Sequence, residues 1–264
     1  MAELDDAYAN AAHIPGSADY PPRWGRAAEA LREGLIEQGL ADLDLSYGDS
    51  PRQRFDLFHP GAEAKGLLVF VHGGYWLRFD KSVWSHLAAG ALSHGWAVAM
   101  PSYDLCPQVG IADITQQIAK AVTTAAAMVA GPIVLAGHSA GGHLVTRMLQ
   151  PGLLPDTVAA RLRHVLSISP VSDLRPLMRT SMNADFKLND ASARAESPAL
   201  MVERLPVPVT VWVGADERPV FLDQARWLAE AWGCGHVVEE GKHHFDVIDA
   251  LAEADSPMMH RLLG

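Results

Sequence analysis

Apolar positions along the chain fall into two alternating rhythms. Leu67–Val71 is an unbroken apolar run, as expected of a strand buried on both faces. Trp96–Met100, Pro132–Ala136, His164–Ser169, Val209–Val213 and His236–Glu239 read as further strands. Between them helical spacing predicts helices over Asp80–Ser93, Ile111–Ala130, Gly141–Leu149, Pro219–Trp232 and Phe245–Leu263. Strands that alternate with helices predict an α/β fold with a mainly parallel, doubly wound sheet. Ahead of it, Asp44–Tyr47 and Arg54–Phe58 alternate polar and apolar residues around Gly48-Asp49-Ser50-Pro51, which predicts an antiparallel hairpin at the sheet edge.

Two segments stand outside this rhythm. Residues 1–40 begin with turn residues Pro15, Gly16, Pro21 and Pro22, then take a helical pattern from Trp24 through Ala27, Leu31, Leu35 and Ile36. This N-terminal helical segment is expected to lie over the domain as part of a lid. Between Ser169 and Val209 about forty residues carry only short helical patterns, at Asp173–Met178 and Asn183–Leu188. A structureless loop of that length is uncommon in a compact domain, so residues 170–207 are read as a small helical cap inserted in a single domain spanning 1–264.

Composition narrows the class. The chain has 264 residues, 49% hydrophobic and 20% charged, which suits a globular protein with a sizeable core. The net charge of −10, spread rather than blocked, argues against nucleic-acid or anionic-membrane partners. Neither a basic-then-apolar leader nor a bilayer-length apolar run is visible, and the two cysteines, Cys106 and Cys234, form no CxxC. A cytoplasmic location is expected, and homo-oligomer formation is left open.

The chemistry gathers where strands end. Pro132–Ala136 runs into Gly137-His138-Ser139-Ala140-Gly141 and then a helix, a strand–turn–helix that holds a serine hydroxyl exposed above the sheet. Leu67–Val71 is followed by His72-Gly73-Gly74-Tyr75-Trp76; bare N–H groups of Gly73 and Gly74, with that of Ala140, suit a tetrahedral oxyanion. A serine needs a base and an orienting carboxylate. After Val209–Val213 come Asp216 and Glu217; Asp216 sits just past the strand end and is preferred, with Glu217 its competitor as a helix N-terminal acid. His243 and His244 precede the last helix, and adjacent side chains diverge, so only one faces the serine. His72 is expected to hydrogen-bond within the glycine loop and hold it, His143 to be structural, and His138 to pack or line the pocket. Tyr75 and Trp76 border the loop, where they could face an aromatic or apolar substrate group. His-x-x-Glu-His, Cys-rich, Gly-x-Gly-x-x-Gly and Gly-Lys-Ser/Thr patterns do not occur, so neither a metal nor a nucleotide cofactor is expected.

These motifs resemble those of the α/β-hydrolase superfamily, in the branch whose oxyanion loop reads His-Gly-Gly, from about Asp44 to the C-terminus. Within it the chain is similar to the kynurenine formamidase group and related small esterases. That likeness rests on His72–Trp76, Ser102–Gln108, Gly137–Leu144, Asp173-Leu174 with Pro176-Leu177, and His244-Phe245-Asp246. The resemblance implies a base directly before a phenylalanine, hence His244, and a triad of Ser139, Asp216 and His244 with oxyanion donors Gly73, Gly74 and Ala140. It implies a serine hydrolase acting on a small ester or N-formyl aryl amide, with a short-chain carboxylesterase or thioesterase as the alternative. A hydrolase-fold protein that binds a ligand without cleaving it is the reading from another class.

Overall fold

Residues 2–264 are described by a computed structural model. Its strands are β1 (Ala41–Ser46), β2 (Arg54–Phe58), β3 (Leu67–Val71), β4 (Ala97–Pro101), β5 (Ile133–His138), β6 (Leu162–Ile168), β7 (Val209–Gly214) and β8 (Gly235–Glu239). They join in one sheet of order β1-β2-β4-β3-β5-β6-β7-β8. β1 pairs with β2, and β2 with β4, in antiparallel fashion; every other pairing is parallel. The hairpin therefore sits at the sheet edge as expected. Both neighbours of β3 are parallel and the chain leaves it first toward β4 and then toward β5, so the strand order reverses between β3 and β5. Clefts form at such switch points, outside the strands' carboxyl ends.

Helices cover both faces: α1 (Tyr20–Glu37), α2 (Ala89–Ser93), α3 (Ile111–Met128), α4 (Ala140–Arg147), α5 (Asp156–Ala159), α6 (Asn183–Phe186), α7 (Asp190–Ala195), α8 (Pro219–Trp232) and α9 (Pro257–Leu263). The period of two along β3 divides its side chains between two cores. Leu67, Val69 and Val71 pack with Ile114 and Ile118 of α3, Leu144 of α4 and Phe221 and Leu228 of α8. Leu68 and Phe70 pack with Trp24 of α1, Ala91 of α2 and Met258 and Leu262 of α9. Each large apolar side chain so buried contributes about 1.5–3 kcal/mol, which is why β3 tolerates no polar position.

Two expected helices come out broken. Over Asp80–Ser93 the Asp80 side chain accepts the Ser82 N–H and closes a tight turn. A Cβ on Gly90 would lie 2.4 Å from the Leu251 carbonyl oxygen, so α2 is pressed against backbone and spans only five residues. Over Phe245–Leu263 a 3-10 turn at Val247–Ala252 precedes α9. Pro257 lacks the N–H to continue a helix, and Ser256 starts a new one by accepting the Met259 N–H.

The interval between β6 and β7 carries α6, α7 and two 3-10 turns, Arg175–Arg179 and Pro198–Leu200. A buried ion pair fastens it to the sheet's helices: Arg147 of α4 meets Glu196, whose carboxylate also accepts the Thr115 hydroxyl of α3 at 2.8 Å. Among the described residues no helix is long and apolar enough to cross a membrane.

Candidate active site

β5 ends at His138 and α4 begins at Ala140, leaving Ser139 alone on the bend with φ 57° and ψ −116°. A non-glycine residue there is strained and persists only where its surroundings force it. The forcing is visible on both sides. Ser139 N–H donates to Ile168 O at 2.8 Å, and Ser139 O accepts the His143 N–H at 3.1 Å. The turn needs its flanking glycines, because a Cβ on Gly137 would fall 2.2 Å from Gly141 O, and one on Gly141 1.9 Å from Val71 O.

The glycine loop after β3 lies directly on this bend. A Cβ on Gly73 would come within 3.0 Å of the Ser139 Cβ. Ala140 is the first residue of α4, and neither Gly73 nor Gly74 donates any of the loop's backbone hydrogen bonds among the described residues. None of these three N–H groups beside the serine donates a hydrogen bond among the described residues. Gly74, at φ 110°, accepts the N–H groups of Leu77 and Arg78 and turns the chain back. His72 holds the loop as expected: its Nδ1–H donates to Gly73 O at 2.7 Å, and its ring stacks on Tyr103 at 4.4 Å. Burial pushes the His72 imidazole down to about 4, so it is neutral.

Across the sheet, the His244 Nδ1 lies 2.6 Å from Glu217 Oε2, and both side chains are buried. This corrects the expectation for Asp216. That residue is exposed, and its N–H is spent on Lys242 O at 2.9 Å. The cause lies in how the β7 end packs. Ala215 N–H bonds Glu239 O, and Gly214 sits so close to Lys242 that a Cβ would be 2.2 Å from its oxygen. The two loops thus run side by side, which turns Asp216 outward and the next residue inward. Of the two histidines, His244 is the one set against the buried acid. His243 Nε2 instead meets the Tyr20 hydroxyl of α1 at 3.1 Å.

Other pocket expectations divide. Trp76 is fully buried, edge-on to His143 at 5.1 Å and Phe186 at 5.7 Å, and so faces core rather than substrate. His138 is buried with its ring 4.6 Å from that of His244, packed behind that ring rather than lining open space. Desolvation holds its pKa well below the ordinary histidine value. Tyr75 is half-buried and donates its hydroxyl to Tyr8 O at 2.8 Å.

Tyr8, Ser169, Phe221 and Gln224 had no signal in the sequence pattern. Phe221 of α8 lies 4.4 Å from the His244 ring, and Tyr8 packs edge-on to Phe221 at 5.9 Å while accepting from Gln224 Nε2 at 3.0 Å. The chain around Tyr8 thus reaches the site, while α1 of the same N-terminal segment packs through Trp24 and Leu35 in the core on the other face of the sheet. The stretch around Tyr8 is tied down by Glu3–Arg179 and Asp6–Arg218 ion pairs and by Ser181 N–H on Asp5. Ser139 and His244 are only 2% and 4% exposed.

A family model described as the alpha/beta hydrolase fold matches residues 68–238. The chain belongs to that family. Kynurenine formamidase of Drosophila melanogaster is 30% identical over 249 residues, covering 85% of this chain and 81% of that protein. Kynurenine formamidase of Salmo salar is 25% identical over 252 residues, with 89% and 86% covered. Among solved structures, a protein from Silicibacter sp., named only provisionally as a thioesterase, is 61% identical over the full length of both chains with a TM-score of 0.98. Esterase B of Lactobacillus rhamnosis, 18% identical with 93% and 91% covered and a TM-score of 0.67, shares the fold. The protein is a hydrolase of the α/β-hydrolase family.

Proposed function

We propose that this hydrolase cleaves a small ester or N-formyl aryl amide through a Ser139–His244–Glu217 triad and an acyl-enzyme. The observation that carries the reading is the buried 2.6 Å contact between Glu217 Oε2 and His244 Nδ1, with the His244 ring 4.6 Å from that of His138, the residue before the strained Ser139. His244 Nε2 takes the Ser139 proton as the hydroxyl attacks the carbonyl carbon. Glu217 keeps Nδ1 protonated and stabilises the imidazolium that forms. The N–H groups of Gly73, Gly74 and Ala140 receive the tetrahedral oxyanion. Collapse expels the amine or alcohol, protonated by His244, and water then releases the acid by the same steps in reverse order.

Aromatic surroundings support an aromatic leaving group. Phe221 lies against the base, with Tyr8 and Tyr75 against Phe221. The similarity to kynurenine formamidases makes N-formylkynurenine the first substrate to assay. The second reading, an acyl thioesterase, draws on the 61% identical Silicibacter protein.

Comparing kcat/KM for N-formylkynurenine, p-nitrophenyl acetate, p-nitrophenyl butyrate and an acetyl thioester of N-acetylcysteamine separates these. Preference for N-formylkynurenine supports the formamidase form. A strong preference for butyrate leaves only the esterase, and one for the thioester moves the assignment to thioesterase.

A further inference from the structure

We propose that Ser169 is a positioning residue of this active site, one that aims the Glu217 carboxylate at His244. The inference rests on the triad reading above and deepens it. Ser169 follows the last residue of β6 and is fully buried. Its Oγ–H donates to Glu217 Oε1. The Gly214 N–H donates to the same oxygen at 3.1 Å, so Oε1 is held twice while Oε2 is turned to His244 Nδ1.

Three features make this more than a filled hydrogen bond. The first is the backbone: Ser169 adopts φ 46°, a left-handed conformation costly for a side chain that is not glycine, Asn or Asp. Strain of this kind persists where the surrounding structure imposes it and clusters at functional sites. Here the Ser169 N–H is drawn to Trp212 O on β7 at 2.7 Å, which swings its hydroxyl toward the acid.

The second feature is the residue before it. Ile168 O accepts the Ser139 N–H at 2.8 Å, so two consecutive residues at the end of β6 grip the nucleophile's bend and the triad acid. A displacement of this dipeptide would move both partners of His244 together, and a fixed spacing between them is what proton transfer requires.

The third is the acid itself. A glutamate has one more rotatable bond than an aspartate, so its carboxylate needs more restraint to hold one orientation. It is also a buried carboxylate, and buried charge is tolerated only when hydrogen-bonded. Ser169 and Gly214 on one oxygen and His244 on the other meet both needs, and only one of those three donors is a side chain that substitution can remove without touching the base.

The experiment uses Ser169→Gly in the full-length protein, because glycine accepts φ 46° without strain while deleting the hydroxyl. Ser169→Ala removes the hydroxyl and keeps the strain. With p-nitrophenyl acetate, both variants are expected to lose about tenfold to a hundredfold in kcat. KM should stay within about twofold, because Ser169 touches no substrate, and Ser169→Gly should keep a wild-type thermal midpoint. In a Glu217→Gln background, Ser169→Gly should cost little further, since the carboxylate it aims is gone. A stable Ser169→Gly enzyme with wild-type kcat overturns the proposal, and so does a loss that multiplies fully with that of Glu217→Gln. Labelling of Ser139 by a fluorophosphonate keeps the two readings apart. An unlabelled wild type overturns the triad and this role with it, whereas a labelled wild type beside an unimpaired Ser169→Gly overturns the role alone.

Discussion

Glu217 meets His244 through a single 2.6 Å contact, made between two side chains that water hardly reaches. A carboxylate in that position is worth most when His244 turns positive, because nothing nearby in bulk solvent can substitute for it. Glu217→Gln keeps the shape but leaves the imidazolium without a counter-charge. The expected result is a kcat for p-nitrophenyl acetate lower by about a thousandfold or more. Asp216→Asn, altering the exposed neighbour, is expected to stay within about twofold. Equal losses in the two variants would return Asp216 to the triad.

The pair also marks where sequence reading stops. Leu67–Val71 and Pro219–Trp232 were legible to the residue, since burial on both faces and helical spacing are properties of a local stretch. Ser139 and the glycine loop were legible because their conformation demands particular residues. Which of two adjacent carboxylates turns inward is decided by Glu239 at the end of β8 and Lys242 just after it, and no local pattern carries that. Ser169 is harder still: an isolated serine after a strand has no signature until its φ and its partner are known. Tyr8 reaches the site through contacts more than two hundred residues away in the chain, with Gln224.

The segment that brings Tyr8 in is held at its edges by exposed ion pairs. Glu3–Arg179 and Asp6–Arg218 lie largely in water, where such pairs are weak and screened by salt. Ser139 is 2% exposed, and Tyr8 of this segment packs on Phe221, which lies against His244, so loosening the segment is expected to open the way to Ser139. Fluorophosphonate labelling of Ser139 is expected to run about two- to fivefold faster in Asp6→Ala or Glu3→Ala than in wild type at low salt. Raising salt from about 0.05 to about 0.5 M should speed the wild type toward the variants. Labelling rates indifferent to both changes would mean the segment does not govern access.

Buried neutral histidines set an acid limit on stability. Burial lowers His72 to about 4 and His143 to about 3, against an unfolded value near 6.5. A histidine whose folded pKa is depressed binds its proton more readily when unfolded. The stability it contributes is therefore complete above about pH 6.5 and is lost as pH falls toward the folded values. Each such histidine steepens the decline by up to about 1.4 kcal/mol per pH unit. His143 Nε2–H donates to Glu196 O at 2.7 Å, and a glutamine amide can replace that donor. Urea midpoints between pH 7 and pH 5 should therefore fall less steeply in His143→Gln than in wild type. Parallel slopes would show that His143 is not among the groups taking up protons.

The bend that holds Ser139 rests on a close approach that a single methyl group would destroy. A Cβ on Gly141 would stand 1.9 Å from the Val71 carbonyl oxygen, which belongs to a central strand paired on both sides and cannot move without breaking the sheet. Overpacking in a core costs about 1–3 kcal/mol when side chains can give way, and backbone gives way less. Gly141→Ala should therefore fall at or above that range, as a thermal midpoint lowered by several degrees or as insoluble protein, with Ser139 no longer labelled. Gly34 in α1 supplies the contrast, because a Cβ there meets nothing within 4 Å and its φ is not left-handed. Alanine restrains the unfolded chain more than glycine and favours a helix by about 0.5–1 kcal/mol, so Gly34→Ala should raise the midpoint by a few degrees. If thermal unfolding showed the same small change for both alanines, the tight contact of Gly141 with β3 would not be what shapes the bend.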